Sequence, residues 1–472
     1  MKGPISIAVV GSGYVGLVAA ACFAEIGHRV ICVDNDEEKV STLQNGGIPI
    51  HEEYLPELIQ RHRGDRLQFT SDLRAATQAA QAIFIAVGTP QSSSGSADLS
   101  YVDAVASEIA RSIDGYKVLV EKSTVPVYTN EWIRRVIERN GVPKELFDVT
   151  SNPEFLREGT AVVDFLHPDR IVLGAATERA SDLLQAIYRP LTVGEYYGAE
   201  NAVPGPRGQN DTPPVLLTST KAAEIIKHAS NAFLATKISF INVVANVCEA
   251  AGADVEEVAR GLGMDTRIGP KFLRAGIGYG GSCFPKDVAA FRHVAEQVGV
   301  DFTLLREVEK INEEQKQRFF RKVRSALWTF RGKKIGVLGL AFKGGTDDVR
   351  ESPALDIVQQ LLKEGCIVTA YDPAAEERSK ELIPPGPQMR YVSDPYDAAQ
   401  DADALLILND WQEFLELDLE RLHYTLRYPI LIDGRNLYDP GRMAQMGFTY
   451  LSVGRPGPMH ALDPAISSRF TL

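Results

Sequence analysis

Along about the first 195 residues, short apolar runs alternate with stretches whose apolar positions recur every three or four residues. The runs predict strands near 5–10, 29–33, 82–87, 117–121, 148–151 and 170–173. Strands that take turns with helices imply a parallel sheet covered by helices. The stretch 194–214 holds four prolines, several glycines and Gln209-Asn210-Asp211. It predicts an exposed loop.

Beyond it the period becomes that of a helix. One pattern runs from about 218 to 251 and stops at Gly252; others cover 255–260, 288–298 and 304–326. The first is long enough to join two domains or to pair with a second subunit. At Gly332 the alternation of strands and helices returns. Segment 363–372 repeats the character of 25–34, each ending in an aspartate, and 403–408 repeats 81–87. The predicted fold is therefore α/β. Two doubly wound Rossmann-like domains, 1–214 and 330–472, are joined by an all-helical middle domain, 215–329, with a long central helix. The second half lacks a GxGxxG, so its ligand differs from that of the first.

Composition narrows the class. The 472 residues are 44% hydrophobic and 24% charged, as in ordinary soluble proteins. A net charge of −12 argues against nucleic acid or an anionic membrane as partner. The five cysteines are scattered, and none has metal-ligand spacing. With no signal peptide and no apolar run expected to span a bilayer, a cytoplasmic protein is expected.

Chemistry gathers in loops that follow strands. Gly11-Ser12-Gly13-Tyr14-Val15-Gly16 closes the first strand and opens a helix, the context of a dinucleotide-binding fingerprint. Asp34 ends the next strand, where it would bind a ribose 2′-hydroxyl and repel a 2′-phosphate, so NAD is favoured over NADP. Gly88-Thr89-Pro90 and Ser123-Thr124-Val125-Pro126 follow later strands, as ligand loops or as ordinary turns. Glu154 and Glu158 read as two carboxylates on one helix face, either a base with a cofactor ligand or a solvated helix start. Lys227 and Asn231 share a face of the long helix; that face could meet a substrate oxygen or only solvent. Cys283 lies in a loop with four glycines, before Pro285 and a helix carrying Asp287. A helix N-terminus favours a thiolate, while the bland alternative is a buried structural thiol. Lys343, Arg350 and Arg435 sit on strand-end loops of the second half, where basic residues suit phosphate.

Taken together, GSGYVG, STVP, SNPEFLREGTA, GYGGSCFPKD, AFKGGTDDVRESP and DGRN resemble the UDP-glucose 6-dehydrogenases within the wider UDP-glucose/GDP-mannose dehydrogenase family. The resemblance runs from Gly11 to Arg435. It implies a four-electron, NAD-dependent oxidation of a sugar CH2OH to a carboxylate. Under it, Cys283 traps the aldehyde, and Lys227 and Asp287 handle the alcohol proton and the developing oxyanion, aided by Asn231 and Thr124. Glu154 activates water for thioester hydrolysis. NAD contacts fall on Gly11, Gly13, Tyr14, Val15, Gly16, Asp34, Lys39, Thr89, Thr124, Glu158, Lys286 and Arg350. Substrate contacts fall on Glu154, Phe155, Leu156, Arg157, Glu158, Lys227, Asn231, Phe272, Leu273, Arg274, Ala275, Gly276 and Gly280, with Lys343 and Arg435 on the UDP part. Arg267 resembles an arginine that reaches substrate from a neighbouring subunit, so a homodimer or larger homo-oligomer is expected. The proline-rich stretch and Arg274, where relatives often carry lysine, depart from the pattern. GDP-mannose or UDP-N-acetylmannosamine would serve the same chemistry. A two-electron hydroxyacid dehydrogenase would need neither Cys283 nor the second half, and a non-enzymatic NAD sensor would need none of Cys283, Lys227 and Asp287.

Overall fold

The structure is a computed structural model that describes residues 3–90, 98–206 and 212–456. Residues 207–211 of the proline-rich stretch lie outside the described residues. The chain folds as two compact units. One comprises residues 1–230 with 289–299, the other 231–288 with 300–472.

The first unit holds an eight-stranded sheet of β1 (Ser6–Val10), β2 (Arg29–Val33), β3 (Leu67–Thr70), β4 (Ala82–Ile85), β5 (Lys117–Glu121), β6 (Phe147–Ser151), β7 (Ile171–Gly174) and β8 (Val215–Thr218). Their order is β3-β2-β1-β4-β5-β6-β7-β8. Pairing is parallel except between β6 and β7. Every residue of β4 to β7 is buried, as expected of strands covered on both faces. The winding reverses between β1 and β4, which places a ligand crevice outside the carboxyl ends of those strands.

Two strands escape the hydrophobic pattern. β3 is only four residues long, with two buried positions. β8 has no buried residue, with Leu216 and Leu217 exposed, and it belongs to the first sheet although the sequence places 215 onward in an all-helical region. β8 is apolar in sequence, but at the edge of the sheet its side chains stay largely uncovered.

The second unit holds β9 (Lys334–Leu338), β10 (Ile367–Tyr371), β11 (Met389–Tyr391), β12 (Ala404–Ile407), β13 (Ile430–Asp433) and β14 (Thr449–Ser452). The all-parallel order β11-β10-β9-β12-β13-β14 repeats the winding of β1 to β6. Its switch point lies between β9 and β12.

Helices Thr220–Ala251, Val255–Gly263, Phe284–Gln297 and Thr303–Leu327 make up the rest of the middle region. The division between units falls within the first of these, after Ser230. By length and composition this long helix is apolar enough to cross a membrane, which the sequence reading did not expect of any segment. It also buries Glu224, Lys227, His228, Asn231, Ser239 and Asn242. Glu224 accepts from the backbone N–H groups of Tyr128 and Asn130, and His228 meets the Val125 carbonyl at 2.6 Å. Such groups fit a helix packed inside a folded protein; in lipid they would be costly.

Candidate active site

The glycine loop after β1 is shaped to let a ligand come close. Gly11 has φ +101°, and a Cβ there would lie 2.6 Å from the Ala86 carbonyl oxygen. A Cβ on Gly16 would fall 1.8 Å from the Gly11 oxygen. Only glycine fits either position. Around Gly13 a Cβ would meet nothing within 4 Å, so the backbone there is open to a pyrophosphate. Asp34, at the end of β2, accepts from the Ser12 N–H at 2.7 Å and the Ser12 hydroxyl at 2.6 Å, and Lys39 lies 3.2 Å away. Burial raises its pKa, but these donors outweigh burial and hold Asp34 ionised below the usual carboxylate range. The loops after β4 and β5 are joined, Thr89 donating to the Thr124 carbonyl at 2.9 Å. These residues fit NAD: an open glycine turn for the diphosphate and a fixed carboxylate for the ribose.

Glu154 and Glu158 are not on a helix. Residues 152–157 have no regular structure, and the next helix begins at Ala161. Pro153 disfavours helical backbone at Asn152, and Gly159 turns the chain at φ +86°. Irregular backbone lets Glu154 fold inward, where its Oε1 meets Lys227 Nζ at 2.8 Å with both side chains 5% exposed. The Leu156 N–H donates to Glu154 at 2.7 Å. Burial raises the Glu154 pKa; Lys227, the Leu156 N–H and Lys122 more than offset it and hold the carboxyl below its usual range. Lys122 is itself buried, and burial brings its pKa down to about 8. Its ammonium donates to Asn152 Oδ1 at 3.1 Å and so braces the loop that carries Glu154. The Arg170 guanidinium lies 3.8 Å from the Phe155 ring centroid, and Lys227 lies 5.6 Å from it. Arg157 is turned to Asp164 at 2.6 Å and 3.0 Å. Tyr14 and Glu52 bond each other, and both accept from the N–H of Gly159.

In the second unit, Cys283 immediately precedes the helix Phe284–Gln297, and its carbonyl accepts the first helical hydrogen bond, from the Asp287 N–H at 2.8 Å. The Ser282 hydroxyl lies 3.5 Å from the thiol sulfur. Asp287 is buried and accepts from Asn231 at 2.6 Å, with Lys286 at 3.8 Å. The glycine-rich approach to Cys283 is held by three amides. Gly276 donates to Asn242 and accepts from Gln315, and Tyr279 exchanges both backbone bonds with Asn312. A Cβ on Gly280 would fall 2.1 Å from the Glu351 carbonyl oxygen, and one on Gly276 would lie 3.1 Å from the Arg435 guanidinium. Arg435 and Arg274 both reach Asp410, at 3.3 Å and 3.0 Å, and Gly344 N–H donates to the same carboxylate. Burial raises the pKa of Asp410, yet the two arginines and this N–H drive it far below the usual range. Lys343 flanks the Phe342 ring, Arg350 forks onto Asp348 and the exposed Arg267 onto Asp265. Phe272 takes a left-handed backbone at φ +64°.

Comparison with known families matches the chain three times. The NAD-binding domain of the UDP-glucose/GDP-mannose dehydrogenase family covers residues 5–192, its central domain 221–314 and its UDP-binding domain 336–440. The chain belongs to that family. Two bacterial relatives are each 46% identical to this dehydrogenase: a UDP-glucose 6-dehydrogenase of Bacillus subtilis, aligned over 95% of this chain and 93% of its own, and one of Rhizobium meliloti, aligned over 96% and 100%. The solved UDP-glucose dehydrogenase of the hyperthermophilic archaeon Pyrobaculum islandicum superposes with a TM-score of 0.85 at 37% identity, covering 96% of this chain and 98% of that one.

Within this family member, the NAD-binding domain carries the Gly11–Gly16 turn, Val15 included, Asp34 and Lys39. The central domain carries Lys227, Asn231, Cys283 and Asp287, and the UDP-binding domain carries Lys343, Arg350 and Arg435. Each unit gathers part of the expected set: Glu154 with Lys227 and Thr89 with Thr124 in one, Asn231 with Asp287 and Arg274 with Arg435 in the other. Lys122, Glu52 and Asp410 were not anticipated. A lysine at a strand end before Ser123-Thr124 was the available signal for the first, and the strand-end position of Asn409-Asp410 for the last.

Replacing Lys227 by Met leaves Glu154 buried without its counter-ion. The expected cost is about 3–5 kcal/mol in urea unfolding, whereas the double variant Lys227→Met/Glu154→Leu regains most of it. Equal losses in the two variants would mean that the unpaired Glu154 charge is not the source of the cost.

Proposed function

We propose that this enzyme oxidises C6 of the glucose in UDP-glucose from alcohol to carboxylate, by way of an aldehyde, a thiohemiacetal on Cys283 and a thioester. The observation that carries this reading is the placement of Cys283 directly before a helix whose first turn holds a buried Asp287 fixed by Asn231. A helix N-terminus lowers a thiol's pKa, and the thiolate is the competent nucleophile. NAD, bound in turn twice, supplies the acceptor for the two hydrides. Asp287 takes up the alcohol proton and the Lys227 ammonium steadies the oxyanion, aided by Thr124. Glu154, kept ionised by Lys227 and Lys122, accepts a proton from the water that hydrolyses the thioester and releases UDP-glucuronate. Phe155, Leu156, Arg157, Leu273, Ala275, Gly276 and Gly280 line the sugar and its linkage. Arg274, Lys343 and Arg435 hold the UDP part, and its remote binding energy sets C6 against the nicotinamide. Glu158, Lys286 and Arg350 serve the cofactor.

UDP-glucose is preferred to other nucleotide sugars because the two relatives at 46% identity carry its name. We place the enzyme in the cytoplasm, where the cysteines, none of which forms a disulfide, stay reduced. We also propose a homodimer. Phe233, Phe240 and Val247 on the long helix recur every seven residues and are 64%, 54% and 61% exposed, an apolar seam suited to a second copy of the same helix. The partner's copy of Arg267 then completes the substrate site.

Two measurements test these proposals. With UDP-glucose and NAD in excess, Glu154→Gln should accumulate a protein-bound acyl adduct on Cys283 by intact-mass spectrometry, and Cys283→Ser should bind NAD but form no acid. Acid formation by Cys283→Ser at an undiminished rate would rule out the covalent route. Light scattering of the full chain should give at least twice 51.7 kDa, and Phe240→Glu should lower it together with activity. A fully active monomer would dismiss the shared site.

A further inference from the structure

The dinucleotide turn and the loop bearing Glu154 meet at one buried carboxylate that belongs to neither motif. Glu52 lies between the helices Glu37–Gln44 and Leu55–His62 and is 4% exposed. Its Oε2 accepts from the Tyr14 hydroxyl and from the Gly159 N–H at 2.7 Å. Its Oε1 accepts from the Val162 N–H at 3.3 Å. The Gly159 N–H also points to the Tyr14 oxygen, at 2.5 Å. Tyr14 is the first residue of the helix that opens on the dinucleotide turn. Gly159 ends the irregular run that starts after β6 and contains Glu154 and Glu158.

Two features separate this from ordinary helix capping. A cap for Ala161–Leu166 needs only the N–H groups of that helix, yet Glu52 also bonds a side chain of the cofactor turn. In addition, residues 152–157 make no helix or strand, so their placement depends on tethers. One end is tied by Lys122 to Asn152 and by Lys227 to Glu154, the other by Glu52 to Gly159. Burial and the neighbouring carboxylate push the Tyr14 phenol far above its ordinary pKa, so it stays a proton donor at any working pH.

We infer that Glu52 is a positioning residue that locks the dinucleotide turn to the loop bearing Glu154 and Glu158, so that cofactor binding and the placement of these carboxylates are coupled. The part concerning Glu154 rests on the hydrolytic role proposed for it above. Loss of the link loosens the turn toward NAD and, through five residues of irregular chain, misplaces the carboxylate that activates water.

A double-mutant cycle on the full-length protein tests it, with Glu52→Gln, Tyr14→Phe and the two combined. NADH affinity is read by fluorescence titration without any sugar present, and adduct release is read by mass spectrometry with UDP-glucose. Each single variant should weaken NADH by about tenfold, and the double variant by about tenfold as well, because both break one link. Tyr14→Phe should also slow adduct release, although Tyr14 has no part in the proposed chemistry. Unchanged NADH affinity in both single variants would overturn the inference, as would a double variant weakened about a hundredfold, the product of independent effects. If Glu52→Gln fails to fold, Tyr14→Phe carries the decision: weaker NADH with slower adduct release supports the lock, and either one without the other refutes it. Absence of any adduct in the unaltered protein would refute the covalent route while leaving the NADH cycle to judge the lock.

Discussion

The buried ion pair of Lys227 and Glu154 is the constraint around which the chemistry of the first unit is arranged. A carboxylate cannot stay ionised in a dry interior unless a cation stands beside it. The long helix supplies that cation, and Lys122 from the end of β5 supplies a second positive charge. The loop must then leave helical geometry to bring Glu154 inward, which explains why Pro153 and Gly159 bracket it. A buried pair of this kind adds little to stability over an apolar replacement. What the pair does secure is an ionised, fixed carboxylate, as the hydrolytic role proposed for Glu154 requires.

The second unit solves a complementary problem with the opposite sign. Arg274 and Arg435, proposed above to hold the UDP part, are fixed by one partly buried aspartate, Asp410. Without a shared anion, two guanidiniums would repel and spread. The glycine approach to Cys283 is similarly held from outside, by Asn242, Asn312 and Gln315, because a chain of glycines cannot hold itself.

Much of this was legible in the sequence where spacing alone decides geometry. Asn231 on one helix and Asp287 one turn after Cys283 follow from helical period and a helix start at Phe284-Pro285. The duplicated winding follows from the repeated strand and aspartate pattern, and the NAD turn from glycines with a single steric solution each. What was not legible depends on tertiary placement. The pattern of Glu154 and Glu158 suggests a helix, but a proline and a left-handed glycine override it. β8, Val215-Leu216-Leu217-Thr218, is apolar but short and runs almost directly into the long helix, so it reads as part of the helical region. Glu52, Lys122 and Asp410 look like ordinary surface charges in sequence, and only packing shows that the first two are buried, the third partly so, and that each is shared between loops. The apolar long helix conceals buried charges that distinguish it from a membrane span.

The account stands or falls on whether oxidation passes beyond the aldehyde. The direct measurement is NADH formed per UDP-glucose consumed, with NAD in excess. The account predicts two, with UDP-glucuronate as product. A ratio of one, with an aldehyde released, would contradict it, since Cys283 and Glu154 would then have no step to perform.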